Sequence, residues 1–282
     1  MEKKKIRLVL DSAVDIPERL RERVRIVPLT VSFGEKEYQD GIDISKEEFY
    51  QQLETAKTLP RTGQATPAAF GAVFDQIRRS GEQALVITVS SVLSGTWQSA
   101  CIAGQDDPDI RIVDSRNVSI GSGVLAELAL RCLDEGMGLE ETAALLEEKR
   151  DDVCLLAKLD TLEYLRRGGR ISGAAALAGG LLRIKPVITF IDGATVLLGK
   201  ARGSRSAHSF LIAKIKEYGL DYDMPVLLGY TGTSDAGLQD YIKDSRCIWE
   251  NRIDPLERVQ LCSVIGTHGG PGAVVAAFFR KN

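Results

Sequence analysis

The sequence predicts an α/β protein built in two parts: an N-terminal α/β/α domain on a parallel sheet, and a C-terminal α/β domain on a mixed sheet. Two observations carry this expectation. First, short and nearly uninterrupted apolar runs, IRLVL (6–10), ALVITV (84–89) and IRIVD (110–114), alternate with amphipathic segments through the first half. That alternation is the mark of βαβ units, and continuous apolar character is what a strand covered on both faces requires. Second, the pattern changes beyond about residue 155, where VITFIDGATVLLGKARG reads as a hairpin turned at Asp192-Gly193. The expected domains are therefore 1–155 and 156–282.

Taken in order, IRLVL is a first strand and RIVPLTVSF (25–33) a second extended run. SKEEFYQQLETAK starts a helix at Ser45, with Glu48 three residues on completing a capping box. TPAAFGAVFDQIRRSG has Thr66 as cap, Pro67 in the first helical position and Gly81 at its end. Then come the strand 84–89, a helix from about 93 to 103, the strand 110–114 and two helices within 119–150. The second half continues with VCLLAKL, the hairpin, a helix at 204–217, strand PVLLGY (225–230), a helix at 234–244, strand VQLCSVIG (259–266) and the apolar run AVVAAFF (273–279).

Composition narrows the function classes. The chain has 282 residues, 44% of them hydrophobic and 27% charged, as in ordinary globular proteins. A net charge of −3 argues against a general affinity for nucleic acid. No apolar run reaches the roughly 18 residues of a membrane span, so stable membrane insertion is not expected. The N-terminal apolar stretch is also too short for a signal peptide. Five widely spaced cysteines without C-x-x-C read as free thiols in a cytoplasmic protein. Two histidines and no H-E-x-x-H leave no transition-metal site, and no cofactor is expected. Walker, G-x-G-x-x-G and G-x-S-x-G patterns are absent.

Several stretches carry polar chemistry. Asp11-Ser12, Ser90-Ser91, Ser94 and Asp114-Ser115 stand at predicted strand ends, and Thr62 just precedes a helix. Such ends converge on one rim of a parallel sheet, where ligands tend to sit. In SSVLSGT, a helix start offers free N–H groups, Ser94 adds a hydroxyl and Gly95 permits close approach of a ligand. With Thr62, this set of uncharged donors suits a carboxylate or phosphate oxygen. His268, in the glycine-rich stretch VIGTHGGPGAVV, is a second candidate, whereas His208 reads as a surface or packing residue. From Arg166 to Arg205 the bases Arg166, Arg167, Arg170, Arg183, Lys185, Lys200, Arg202 and Arg205 face a single acid, Asp192. This local positive field is a solvated face or a receiver of phosphate or of an acidic partner. ISGAAALAGGLL (171–182) either packs helices tightly or leaves room for a long apolar ligand.

Together these motifs resemble the DegV family. The matching segments are DSAVDIP (11–17), VPLTV (27–31), TGQATP (62–67), SSVLSGTWQSA (90–100), DTLEYLRRGGRIS (160–172), IKPV (184–187), GSRS (203–206) and IGTHGGPGA (265–273), in family order over nearly the whole chain. The resemblance implies a two-domain protein that binds a long-chain fatty acid, with its carboxylate between the domains and its tail in the second. It also implies a partner, a fatty acid kinase subunit that makes acyl phosphate on the presented acid. By that likeness Thr62 and Ser94 bind the carboxylate, Gly95 supplies a backbone donor, His268 completes the polar site and Arg170 lies near the head group. Arg202 and Arg205 then mark a kinase-docking surface. The chain departs from relatives at Gly63 and Ala65, often serine and proline there, and at Trp97, commonly tyrosine. Read without the resemblance, two other classes stay open. One is a serine hydrolase or acyltransferase using Ser94 as nucleophile and His268 as base. The other is an interaction protein docking an acidic partner through its basic segment.

Overall fold

The computed structural model describes residues 4–172 and 183–281. Strands β1 (Ile6–Asp11), β2 (Val24–Val27), β6 (Gln83–Thr88) and β7 (Ile110–Asp114) form an all-parallel sheet in the order β2-β1-β6-β7. Strands β3 (Thr30–Phe33), β4 (Lys36–Gln39) and β5 (Arg61–Gly63) make a small antiparallel sheet in the order β4-β3-β5. The third sheet contains β8 (Val153–Lys158), β9 (Ile184–Ile191), β10 (Ala194–Arg202), β11 (Leu227–Tyr230), β12 (Arg258–Gln260) and β13 (Val274–Phe279). Its order is β10-β9-β8-β13-β11-β12, antiparallel except for the β11–β12 pair. The protein is thus α/β, with a parallel sheet before a mixed one.

Local signals account for most helices. Helix α1 (Lys46–Thr55) starts on the Ser45–Glu48 capping box, and α2 (Pro67–Arg79) starts on Thr66, whose side chain accepts from Ala69 N. Helices α3 (Thr96–Ala103), α4 (Ser119–Asp134) and α5 (Leu139–Lys149) complete the first half. In α4 nearly every side chain is buried, because it packs against both β1 and β6 of the parallel sheet and β8, β11 and β13 of the mixed one. Its small residues, SIGSG, make that double contact possible. The mixed sheet carries α6 (Glu163–Arg167) after β8, then α7 (Ser204–Tyr218), α8 (Ala236–Asp244), α9 (Arg246–Trp249) and α10 (Ser263–Gly269). A large core joins the parallel sheet, α4 and the inner face of the mixed sheet, and a second core lies under α7, α8 and α9.

Three expectations need correction. The run 25–33 is not one strand: it breaks after Val27 and contributes β2 and β3 to different sheets. Pro28 lies at the break and has no N–H to give a ladder. The run 259–266 is strand only through Gln260, and Ser263 opens a helix. His268 consequently stands in the last turn of that helix, with the glycine turn beginning only at Gly270, φ 70°. Most of the small-residue segment 171–182 lies outside the described residues.

Candidate functional site

Between the parallel sheet and the inner face of the mixed sheet lies a cavity of about 360 Å³. Most of its wall is apolar. Leu155 and Ala157 alternate along β8, and Ile188 and Phe190 along β9, so the period of two turns each pair to the same side. Ala273 and Val275 continue the wall. The polar groups gather where Thr62, Gln64, Ser94, Gly95, Arg170 and His268 line it.

Each of these side chains is held by an identifiable element. Thr62 is placed by β5, opposite Val31 of β3, and its Oγ1 lies 2.9 Å from His268 Nε2. Ser94 sits in the turn between β6 and α3, with its N–H given to Ser90 O at 3.1 Å and its Oγ 2.9 Å from Thr96 Oγ1. The same Thr96 hydroxyl accepts from Ala65 N at 3.3 Å, which ties the Thr62 segment to the Ser94 turn. Gly95 is required by the side chain of Gln64, which lies where a Cβ would stand and donates to Ser99 Oγ at 2.9 Å. Arg170 reaches back to the same turn, donating from Nε to Leu93 O at 3.2 Å and from Nη1 to Gly168 O at 2.6 Å. Gly168 in turn leaves room for His268 Nδ1.

The electrostatics follow from this packing. Burial, reinforced by the Arg170 charge, lowers the His268 pKa to about 4, so the imidazole is neutral at pH 7. Its Nδ1 is buried with no hydrogen-bond partner among the described residues. On the outer side of Thr62, Arg170 and His268, a second cleft of about 400 Å³ is bordered by Arg61, Tyr164 and Arg167. The polar end therefore faces both the enclosed cavity and a basic opening.

A family profile described as "Uncharacterised protein, DegV family" matches residues 5–281. The chain belongs to the DegV family. A DegV domain-containing protein of Caldanaerobacter subterraneus subsp. tengcongensis is 36% identical over 288 residues, covering 98% of this chain and 99% of the relative. Solved DegV structures superpose closely. One from Thermus thermophilus, described by its fatty acid binding, has a TM-score of 0.86 at 31% identity over 98% of this chain and 99% of its own. A stearic acid-binding protein from Eubacterium ventriosum has a TM-score of 0.85 at 27% identity, covering 98% of both chains.

In this DegV protein Thr62, Ser94, Gly95, Arg170 and His268 border one cavity. The other strand-end polar residues do not join them. Asp11 accepts from Ala13 N at 2.8 Å and Val89 N at 2.7 Å, and burial pushes its carboxyl up to about 7. Ser12 accepts from Leu29 N, Ser90 donates to Gly193 O, and Ser91 bonds Asp114. These groups brace the strand-to-loop transitions. Four polar lining residues escaped the sequence reading: Gln64, Ser119, Thr195 and Thr231. Gln64 had a signal, its place two residues after Thr62. Ser119 had none: it reaches the wall at φ 54° through the start of α4.

The remaining candidates lie elsewhere. His208 is a packing residue, with Nδ1 2.8 Å from Asp244 Oδ2 and its ring edge-on to Tyr241. Arg167 pairs with Glu163 at 2.6 Å and Lys185 with Asp160 at 2.8 Å. Lys200, Arg202 and Arg205 are exposed and form no ion pair among the described residues. No group of three or more metal-ligating side chains occurs among the described residues, and no helix among them is long and apolar enough to cross a membrane.

Proposed function

We propose that this protein binds a long-chain fatty acid, holds its carboxylate at Thr62, Ser94 and the Gly95 backbone, and encloses its tail in the apolar cavity. The observation that carries the reading is one cavity whose wall is mostly apolar and on which Thr62, Ser94 and Gly95 lie together. A neutral His268 with its proton on Nε2 donates to Thr62 Oγ1, which leaves the Thr62 hydroxyl hydrogen for the ligand. Arg170 adds a positive charge beside that end. Fatty acid binding in DegV relatives of similar fold supports the same ligand here. The division of labour is energetic. Burying about fifteen methylenes at about 0.8 kcal/mol each contributes about 12 kcal/mol before ordering losses. A neutral hydrogen bond nets only about 1 kcal/mol. The tail sets affinity, and the hydroxyls set which end faces outward.

We further infer that the protein is a carrier without chemistry of its own, working in the cytoplasm and presenting the carboxylate to a separate kinase for acyl phosphate formation. The basic cleft outside Thr62 and His268 supports an anionic reaction partner arriving from that side. The exposed Lys200, Arg202 and Arg205 are the docking candidates. A nucleophilic role for Ser94 is disfavoured, since His268 Nε2 is paired with Thr62 and no hydrogen bond joins it to Ser94 among the described residues. Extraction and mass spectrometry of purified protein tests the ligand: bound fatty acid is expected, and empty protein that also refuses added fatty acid overturns the reading. Fluorophosphonate labelling of Ser94 would instead establish the hydrolase.

A further inference from the structure

His268 comes from near the end of the chain, yet its helix is secured from the opposite half. Helix α10 has Cys262 at its N-cap position and no capping side chain of its own. Its leading N–H groups go instead to two distant carboxylates: Cys262 N to Asp15 Oδ1 at 2.9 Å and Ser263 N to Asp40 Oδ1 at 3.2 Å. Neighbouring groups secure the same segment. Lys46 Nζ lies 3.2 Å from Asp15 Oδ1 and also donates to Gln260 O, and the Tyr50 hydroxyl donates to Leu261 O at 3.0 Å. The other Asp15 oxygen accepts from Ser119 Oγ at 2.8 Å, and Ser119 is part of the cavity wall.

Both carboxylates are buried, and burying them costs free energy that their hydrogen bonds must offset. A seven-residue helix is too short to persist alone in water, so its placement depends on what grips its ends. A shift of the first turn carries through a rigid rod to the last, where His268 meets Thr62.

We propose that Asp15 and Asp40 are positioning residues: by capping α10 from the N-terminal half, they fix the His268 imidazole against Thr62. The inference rests on the reading of that end as the fatty acid head-group site. The charged and titratable groups around the ring are Arg170 and Tyr164, with Arg61 and Arg167 bordering the adjoining cleft. None of them belongs to the Asp15–Asp40 cluster, so a change in the ring's titration reports its placement.

The test follows the His268 ring by NMR in delipidated full-length protein. In wild type, burial beside Arg170 should hold the His268 titration near pH 4. Asp40→Ala frees the helix start, admits water to the ring and moves its titration upward by about one unit or more. Asp40→Asn keeps an oxygen for Ser263 N–H and restores the wild-type titration. Ser263→Pro removes the donor at the first helical position, where proline is tolerated, and reproduces the Asp40→Ala shift. Folded Asp40→Ala or Ser263→Pro protein with His268 still titrating near pH 4 overturns the proposal. If Asp40→Ala does not fold, Ser263→Pro decides alone. Lipid content is measured separately by extraction: its absence in wild type strikes the fatty acid reading and leaves the NMR result standing.

Discussion

The two histidines stand in opposite surroundings. His208, in the core under α7 and α8, has an acid at Nδ1 and an aromatic ring against its face. His268, at the junction of the two halves, has a hydroxyl at Nε2 and an arginine nearby, and it faces a cavity. Burial alone therefore says little about what a histidine does; its partners decide. An acid partner stabilises a structural imidazole. Burial beside a cation keeps the His268 imidazole neutral, and a hydroxyl partner leaves hydrogen-bonding capacity for a ligand.

Breaking each region sharpens the contrast. The largest expected effect on stability is His208→Ala, which empties a packed site and strips Asp244 of its partner. A loss of about 2–4 kcal/mol is expected by urea unfolding, with extracted lipid unchanged; lost lipid binding in folded protein would merge the two regions. Thr62→Val keeps shape and deletes the hydroxyl. It should weaken fatty acid binding by about 10- to 100-fold, since hydrogen bonds to a charged group contribute about 1.5–3 kcal/mol, with little change in unfolding. Ser94→Ala should cost about 1.5 kcal/mol of binding, the low end of that range because its hydroxyl is shared with Thr96, and, if the acid is presented to a kinase as proposed, markedly slow acyl phosphate formation. Wild-type phosphorylation kinetics would remove Ser94 from the site.

The smallest effect is a slope against pH. The folded-state pKa of His268 is depressed from 6.5 to about 4. The unfolded chain therefore binds the extra proton first, and this stability is lost as pH falls from 6.5 towards 4. Asp11 is raised from 3.8 to about 7, so its contribution is lost as pH rises through that window. The two slopes oppose each other between pH 4 and 6.5. His268→Gln should unmask the falling limb, so that stability decreases with rising pH more steeply than in wild type. Parallel profiles for the two proteins would place His268 in water. Bound fatty acid should raise the His268 pKa, because a carboxylate favours the imidazolium.

The alternating apolar runs, the Ser45 and Thr66 caps and the Asp192-Gly193 hairpin were legible because each rests on contacts within a few residues or on the repeat of a strand. The candidate donors were legible too, since Thr62 and Ser94 carry the right chemistry beside predicted helix starts. Which polar residues would face a ligand was not. Asp11, Ser12 and Ser90 look as suitable as Ser94 in sequence, but they bond Val89 N, Leu29 N and Gly193 O, backbone groups brought near only by folding. The α10 segment shows the same limit in the backbone. CSVIG reads as strand by local preference, but the structure makes it helix from Ser263, with Asp15 and Asp40, more than 200 residues away, accepting its first N–H groups. Short-range patterning thus determined the class of fold and the inventory of donors. Long-range hydrogen bonds and burial decided which donors remain free, because a polar group's availability depends on what the rest of the chain delivers to it.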